Sequence, residues 1–166
     1  IRDRSELEFY KGRTYDALGF PMNAVKCYET AVEYDYSDKY IYIYIGKAKE
    51  ASGDFDGAVE TYQKLTGKQH LINSIYNYIG LAYVRKGDGK KALEAFQTSV
   101  DMKMDYAEAL GGMALSYLLL GDIDKSFEYY EKAIANRIND IDDYKSYYDE
   151  MKLVAIAKIN KAEQTV

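Results

Sequence analysis

The sequence predicts an all-α solenoid, a stack of helix–turn–helix repeats, because two series of small residues recur at an interval of 34 residues. The first series is Gly12, Gly46 and Gly80, with Ala114 at the next step. The second series is Gly19, Gly53, Gly87 and Gly121. A repeat of this length is one supersecondary unit that buries its apolar face against its neighbours. The repeat pattern therefore outweighs local sequence patterns in predicting the fold.

Aligning the chain with itself at this interval predicts one domain over residues 1–166. Its repeats are 5–38, 39–72, 73–106 and 107–140. Residues 141–163 come next as one more helix, with an apolar stripe of Tyr144, Tyr147, Tyr148, Met151, Val154 and Ala155. We expect this helix to be a C-terminal cap. The polar Glu8 and Lys11 stand at core positions of the first repeat, which predicts an N-terminal cap there.

The repeats share a motif in their first and second helices. The third repeat contains Tyr76-x2-Ile79-Gly80-x2-Tyr83 and then Ala92-x3-Phe96, and the second contains Tyr42-x2-Ile45-Gly46 and then Ala58-x3-Tyr62. This pattern resembles the tetratricopeptide repeat, W-x2-L-G-x2-Y followed by A-x3-F, with Tyr or Leu in place of Trp. The resemblance implies a right-handed superhelical solenoid that binds proteins in a concave groove.

The small residues predict two packing roles. A glycine inside a helix costs about 1 kcal/mol relative to alanine, so the series from Gly12 is tolerated where a neighbouring helix approaches closely. We expect the opposing small residues to be Ala24, Ala58 and Ala92. The series from Gly19 marks the turns, and the predicted N-caps after it are Asp54, Asp88 and Asp122. Pro21 suits the first turn of a helix.

Residues 40–45 read Tyr-Ile-Tyr-Ile-Tyr-Ile, which by propensity alone is a strand. The repeat register aligns them with helical segments, so we predict a helix here.

Composition and isolated reactive residues argue against catalysis. The net charge of −5 is mild and mixed along the chain, which predicts no nucleic-acid or membrane-surface partner. His70 is the only histidine and Cys27 the only cysteine, so we predict no catalytic residue, no metal site and no cofactor. Cys27 is expected to be a partly buried structural thiol. No apolar run is long enough to span a bilayer, and we predict a soluble protein, with the cytoplasm favoured over the periplasm or the exterior.

The face opposite the core positions of the first helices is the predicted binding surface. The resemblance implies that this face lines the concave groove. The predicted partner-binding residues are Phe9, Tyr10, Arg13, Tyr40, Ile43, Tyr44, Lys47, Asn77, Tyr78, Leu81, Arg85 and Leu115, and the apolar continuation contains Gly111, Gly112, Leu118 and Leu119. Tyrosines repeat at Tyr10, Tyr44 and Tyr78, and this series ends at Gly112. We expect Tyr44 and Tyr78 to be anchors that lie off the core.

Three interpretations of this face remain open. It binds a partner peptide or helix; it is covered by another copy of the chain over Leu81 to Leu119; or it is a wide, wetted groove. The sequence favours a non-catalytic protein-interaction scaffold. The alternatives are a self-assembling scaffold, through the groove or the C-terminal helix, and the interaction domain of a larger enzyme or of a secretion or assembly protein. The carboxylate clamp of the family, which binds acidic chaperone tails, is not matched, because this chain has Phe9, Arg13 and Tyr44 at its first positions.

Overall fold

The structure is a computed structural model that describes residues 2–66, 72–102 and 106–136, together with Asp149 and Leu153. Within those ranges the regular structure is helical. The helices are α1 (Arg2–Ala17), α2 (Pro21–Glu33), α3 (Ile41–Ala51), α4 (Phe55–Gln63), α5 (Ile72–Lys86), α6 (Gly89–Asp101), α7 (Tyr106–Leu119) and α8 (Ile123–Ala135). They fall into two compact units, Ile1–Leu71 (unit 1) and Ile72–Val166 (unit 2). The predicted single domain stays a prediction, and His70 and most of the predicted helix 141–163 lie outside the described residues.

The turns within the helix pairs have the geometry that the second glycine series predicts. Gly19, Gly53, Gly87 and Gly121 all have positive φ, between 76° and 85°. These are values that residues with a Cβ rarely adopt. At the start of the next helix, Oδ1 of Asp54, Asp88 and Asp122 accepts a hydrogen bond from the N–H three residues on, over 3.0 to 3.1 Å. The predicted N-caps are confirmed. Helix α2 has no side-chain cap and begins with Pro21, also as predicted.

The helical glycines lie at close approaches, but their neighbours are aromatic rings. A Cβ at Gly12 would lie 2.5 Å from Tyr28 Cε1, and one at Gly80 would lie 2.6 Å from Phe96 Cζ. Gly46 meets the ring of Tyr62 in the same way. The prediction of a close approach is therefore confirmed. The nearest side-chain atoms come from a ring one helical turn after the alanine that was expected at this contact, so the glycine makes room for an aromatic side chain.

Those rings carry hydroxyl groups where an acceptor lies close by. Tyr28 donates to Asp16 Oδ2 and Tyr62 donates to Glu50 Oε1, each over 2.5 Å. The donor and the acceptor are 12 residues apart in both repeats. In the third repeat the ring is Phe96, and the residue at the same interval is the buried Val84. A buried hydroxyl needs a partner, whereas a phenylalanine ring needs an apolar neighbour.

The strand-like segment is helical, as the register predicts. Helix α3 covers Ile41–Ala51, and Ile41 and Ile45 belong to the core of unit 1. Residues four apart share one face of a helix, so the array places both isoleucines against α2. The local alternation is overridden by packing.

At the start of the chain, Lys11 is exposed and Glu8 is half-buried, and their side chains pair at 2.6 Å. The equivalent residue Ile45 is buried. The polar pair therefore lies at a surface of unit 1.

Candidate protein-interaction surface

The structure divides the predicted binding residues into three groups by burial. The buried ones are Phe9, Ile43, Asn77 and Leu115; the half-buried ones are Tyr44, Tyr78 and Leu81; the exposed ones are Tyr10, Arg13, Tyr40, Lys47 and Arg85. The expectation that all of them line one accessible face is wrong for the first group. Side chains at these positions contact a partner only where the unit leaves them uncovered.

Phe9 is a core residue of unit 1 rather than a contact residue. Its ring stacks on Tyr36, with centroids 4.6 Å apart and planes 16° apart. The rings of Tyr10 and Tyr44 meet its plane edge-on, each at 5.4 Å between centroids. Phe9 therefore packs against the surrounding tyrosines on their buried side. Such ring pairs stabilise the fold by more than their buried area alone accounts for.

Tyr44 is also part of the packing of unit 1. Its ring lies 5.8 Å from that of Tyr28 and rests against Phe9. The guanidinium of Arg13 sits 5.0 Å from the centre of the Tyr44 ring, and Nη1 donates to the Tyr44 hydroxyl over 3.4 Å. The expectation that Tyr44 lies off the core is wrong, because this position receives the ring of the preceding second helix.

Helices α1 and α3 present two large aromatic side chains to solvent. Tyr10 is 63% exposed and Tyr40 is 54% exposed. Tyr10 lies one turn before Arg13 on α1, and Tyr40 lies one turn before Tyr44, whose N–H donates to the Tyr40 carbonyl over 3.3 Å. Because Arg13 contacts Tyr44, these turns of the two helices lie side by side.

The start of α3 is fixed by Asp38, whose Oδ1 accepts the N–H of Tyr40 over 2.9 Å. This bond is a local side-chain contact to the backbone of Tyr40, the N-cap residue, and the helix has no side-chain N-cap bond. Lys47 lies three residues after Tyr44 and is exposed. We call Tyr10, Arg13, Tyr40, Tyr44 and Lys47 the tyrosine surface.

The phenols around this surface are held in their neutral form. Burial raises the pKa of Tyr36, and the nearby carboxylates of Asp38 and Glu6 act in the same direction. Burial, with the hydrogen bond to Asp16, also raises the pKa of Tyr28 well above its usual range. The cationic side chains of the tyrosine surface are Arg13 and Lys47, and both are exposed.

The corresponding face of unit 2 is closed by its own core. Leu115 and Leu118 are buried in the cluster that α7 forms with its neighbours, and Leu81 and Leu119 pack against the same cluster. Cover by another copy of the chain was one of the three open interpretations of this face. Leu115 and Leu118 need no such cover, because they are already buried within unit 2.

The tyrosine series ends at Gly112 for a steric reason. The ring of Phe96 is fully buried and lies against the backbone of Gly112 on α7 and of Gly80 on α5. A Cβ at either glycine would overlap this ring. The position that holds a tyrosine in α1 and α3 therefore has no room for a side chain in α7.

Asn77 is a polar side chain in a buried position. It is buried on α5, and among the described residues its Oδ1 has no hydrogen-bond donor. The remaining predicted residues of α5, Tyr78 and Arg85, are half-buried and exposed respectively.

Reactive chemistry has little support in the described part of the chain. Within it, no group of three or more His, Cys, Asp or Glu side chains is arranged to hold a metal ion. Cys27 is half-buried, and burial raises the pKa of its thiol, which keeps the sulfur protonated and weakly nucleophilic. Of the helices described, none combines the length and the apolar character needed to cross a membrane.

Comparison with known families identifies the family of the repeats. Sequence models described as tetratricopeptide repeat match residues 11–70 and residues 71–139. The chain belongs to the tetratricopeptide repeat family. Its fold class is the all-α repeat solenoid, and proteins of this family serve as interaction scaffolds and are generally non-catalytic. No curated protein matches the chain in sequence.

Solved structures share this fold at low identity. A thermophilic tetratricopeptide repeat protein of Thermus thermophilus has a TM-score of 0.70 and 22% identity, over 96% of this chain and 90% of its own. MamA has a TM-score of 0.66 and 24% identity, over 80% of this chain and 73% of its own. A putative kinesin light chain of Podosopora anserina with nearly identical TPR-like repeats has a TM-score of 0.67 and 15% identity, over 99% and 92%. At these identities the likeness concerns the fold.

Proposed function

We propose that the tyrosine surface of unit 1 binds a peptide segment of a partner protein. The observation that carries this proposal is the exposure of two large aromatic side chains, Tyr10 on α1 and Tyr40 at the N-cap of α3. The two helices are joined beside them by the contacts of Tyr44 with Phe9 and Arg13. A tyrosine offers a large apolar and polar contact area and loses little rotamer entropy when it binds. Exposed aromatic side chains close together are typical of binding sites.

The support beneath this surface favours binding by a preformed site. Phe9 fixes the ring of Tyr44, Arg13 lies over that ring, and Asp38 fixes the backbone of Tyr40. A partner that binds here loses little free energy in ordering the site, so more of its contact energy appears as affinity.

The charges indicate what the partner carries. The Arg13 guanidinium has five donors, of which the Tyr44 hydroxyl uses one, and Lys47 adds a second cation one turn further along α3. A peptide with a carboxylate next to an apolar or aromatic side chain matches this arrangement, with the carboxylate near Arg13 and the apolar group between the tyrosines.

The test compares Tyr10→Ala/Tyr40→Ala with the parent protein. Proteins captured by the immobilised parent are identified, and the dissociation constant of each is measured with both forms. We expect the double substitution to weaken binding by at least about tenfold, because two exposed aromatic anchors together are worth more than the roughly 1.4 kcal/mol of one decade.

A matched control is Phe20→Ala/Met22→Ala, which removes two exposed apolar side chains at the start of α2 in the same unit. This control should bind like the parent. Circular dichroism melts of the two variants should agree with each other within about 2–4 °C, because each variant loses one edge-on ring contact, Tyr10 with Phe9 or Phe20 with Tyr15. Partner binding that survives in the double variant would overturn the proposal, and so would an equal loss in the control.

A further inference from the structure

The turns inside the helix pairs carry very different side chains at equivalent positions. The segments that span them are 17–23 and 51–57 in unit 1, and 85–91 and 119–125 in unit 2. One position is occupied in succession by Met22, Asp56, Lys90 and Asp124, all of which are exposed. Each turn has the same glycine with positive φ. The fold therefore requires no particular side chain at this position, so the side chain there can serve a contact.

The third turn, 85–91, is strongly basic, although the chain as a whole has a net charge of −5. It combines four cations with one carboxylate, Asp88, for a net charge of +3. The cations are Arg85, Lys86, Lys90 and Lys91, and all of them are exposed. Lys91 pairs with Asp88 at 3.9 Å, so the positive charge at the surface comes chiefly from the other three.

Two exposed apolar side chains lie beside this basic turn. A Cβ at Gly89 would lie 3.0 Å from Leu120 Cγ and 3.1 Å from Leu119 Cβ, so the start of α6 packs against the end of α7. Leu120 and Ile123 are each 42% exposed. The basic edge of unit 2 is defined here as Arg85, Lys86, Lys90, Leu120 and Ile123.

The corresponding edge of unit 1 is apolar and acidic. Leu18, Phe20 and Met22 are 63%, 55% and 67% exposed. The second turn adds the exposed carboxylates of Asp54 and Asp56. Neither turn segment of this unit contains Lys or Arg. We call these five residues the acidic edge of unit 1.

The two turns of unit 1 lie at one end of the unit. Successive helices of a helix–turn–helix array alternate in direction, so the start of α2 and the end of α3 lie together. The two helices are in contact there, since Lys49 Nζ of α3 lies 3.4 Å from Glu29 Oε1 of α2. The start of α6 and the end of α7 have the same relation in unit 2.

Phe20 stands where the other repeats have an N-cap aspartate. Asp54, Asp88 and Asp122 each accept an N–H hydrogen bond at the start of a helix, whereas α2 has no side-chain cap. The ring of Phe20 meets that of Tyr15 edge-on at 6.5 Å and stays 55% exposed. A side chain that gives up a local stabilising bond and remains exposed is typical of a functional contact.

We propose that the basic edge of one copy of this chain binds the acidic edge of a second copy, so that the protein self-associates head to tail. The two edges have opposite charge, and both carry exposed apolar side chains that leave water when they meet. Exposed ion pairs contribute little individually, so the apolar side chains supply most of the affinity and the charges select the orientation.

The two edges differ, so the contact is heterologous and a dimer keeps one unused edge of each kind. The average mass should therefore rise with concentration beyond that of a dimer. None of the edge residues belongs to the tyrosine surface. A second copy of this chain captured by the immobilised parent is thus assigned to the edges, and a different protein to the tyrosine surface.

The test exchanges side chains between equivalent turns. Lys86→Ser/Lys90→Asp puts the residues of the second turn on the basic edge, and Ser52→Lys/Asp56→Lys puts those of the third turn on the acidic edge. Each new side chain already occupies the same position in the neighbouring repeat, so melts of both variants should stay within about 2–4 °C of the parent. Sedimentation velocity over a range of protein concentrations gives the association constant.

We expect each variant alone to associate at least about tenfold more weakly than the parent, because edges of like charge then face each other. An equimolar mixture of the two variants should associate within about threefold of the parent, since each acidic edge can again meet a basic one. The control Lys39→Asp/Lys64→Ser makes the same change in net charge at the opposite end of the α3–α4 pair and should associate like the parent.

A parent protein that sediments as a monomer of 19.0 kDa at every concentration would overturn the proposal. It would also be overturned by variants that associate like the parent, or by a mixture that associates no better than its components. In either case the charged edges would not face each other.

Phe20→Asp separates the contact from folding. It restores the N-cap residue of the other repeats, so Tm should not fall, whereas self-association should weaken at least about tenfold. Unchanged association, or a fall in Tm of more than about 2–4 °C, would refute the role given to Phe20.

Discussion

Adding one methyl group at Gly80 should strain the core of unit 2, because the ring beside it has no room to move. A Cβ at this position would lie 2.6 Å from Phe96 Cζ, well inside an ordinary carbon contact of about 3.5–4.0 Å. Phe96 cannot retreat towards α7, since Gly112 lies against its other side. The ring is fully buried between two helices that approach because both have glycine there.

Two opposing contributions determine how Gly80→Ala changes the free energy of unfolding. Alanine is about 1 kcal/mol better than glycine inside a helix. Overpacking a filled core costs about 1–3 kcal/mol. Gly80→Ala should therefore be neutral to about 2 kcal/mol destabilising, and Gly80→Leu should lose the full overpacking cost or more. For a chain of this size each kcal/mol corresponds to about 2–4 °C in Tm.

A double-mutant cycle with Phe96→Leu isolates the clash. Leucine lacks the distal ring atoms that a Cβ at Gly80 would meet, so in this background Gly80→Ala should recover the helical preference of alanine and become stabilising. The free energy of unfolding is measured by urea titration with circular dichroism for all four proteins. We expect a coupling of about 1–3 kcal/mol, and additivity within about 0.5 kcal/mol would refute the ring contact.

Three further changes test the helix pairs. Tyr28→Phe should cost about 1 kcal/mol in chemical unfolding, because it removes the hydrogen bond to Asp16. Asp88→Ala should also cost about 1 kcal/mol by the same measurement, because it removes the N-cap bond from Lys91 N–H, whereas Asp88→Asn should cost less. The raised pKa of Tyr28 means that the folded state binds its proton more tightly than the unfolded state, so this contribution is complete below about pH 10 and is lost as the pH rises above it. As the pH rises above about 10, Tm should therefore fall less steeply for Tyr28→Phe than for the parent. Equal slopes of Tm against pH would contradict the assignment of this dependence to Tyr28.

The sequence predicts the helices and turns because their determinants are local and are repeated. The interval of 34 residues places Gly53 and Gly87 at turns and Asp54 and Asp88 at N-caps. The glycines adopt positive φ, and the aspartates accept the N-cap hydrogen bonds. It also corrects the strand-like alternation of residues 40–45. Agreement among several copies outweighs the propensity of any one of them.

The candidate surface is predicted less completely, because exposure depends on side chains from distant parts of the chain. Phe9, Tyr10 and Tyr44 all lie on the face that the helical register assigns to the groove, yet Phe9 is buried and Tyr44 is half-buried. Tyr36 covers Phe9 from the end of its repeat, a contact that no motif position marks. A helical-wheel projection gives the side of the helix on which a side chain lies, but it does not show which other side chains cover it.

For the same reason, residues at equivalent positions of the array can have different surroundings. Tyr44 and Gly112 occupy one repeat position, and both lie against the ring of the preceding second helix, Tyr28 in one unit and Phe96 in the other. In unit 1 the ring at this position can tilt beside Tyr28 and carry Arg13 on its outer face. In unit 2 the ring of Phe96 fills the space that a Cβ at Gly112 would need, so this position has no side chain. The size of one residue at this position thus decides whether the repeat presents a side chain on this face or closes over its core. A tyrosine series in the sequence therefore predicts candidate binding positions only after the ring beside each of them is known.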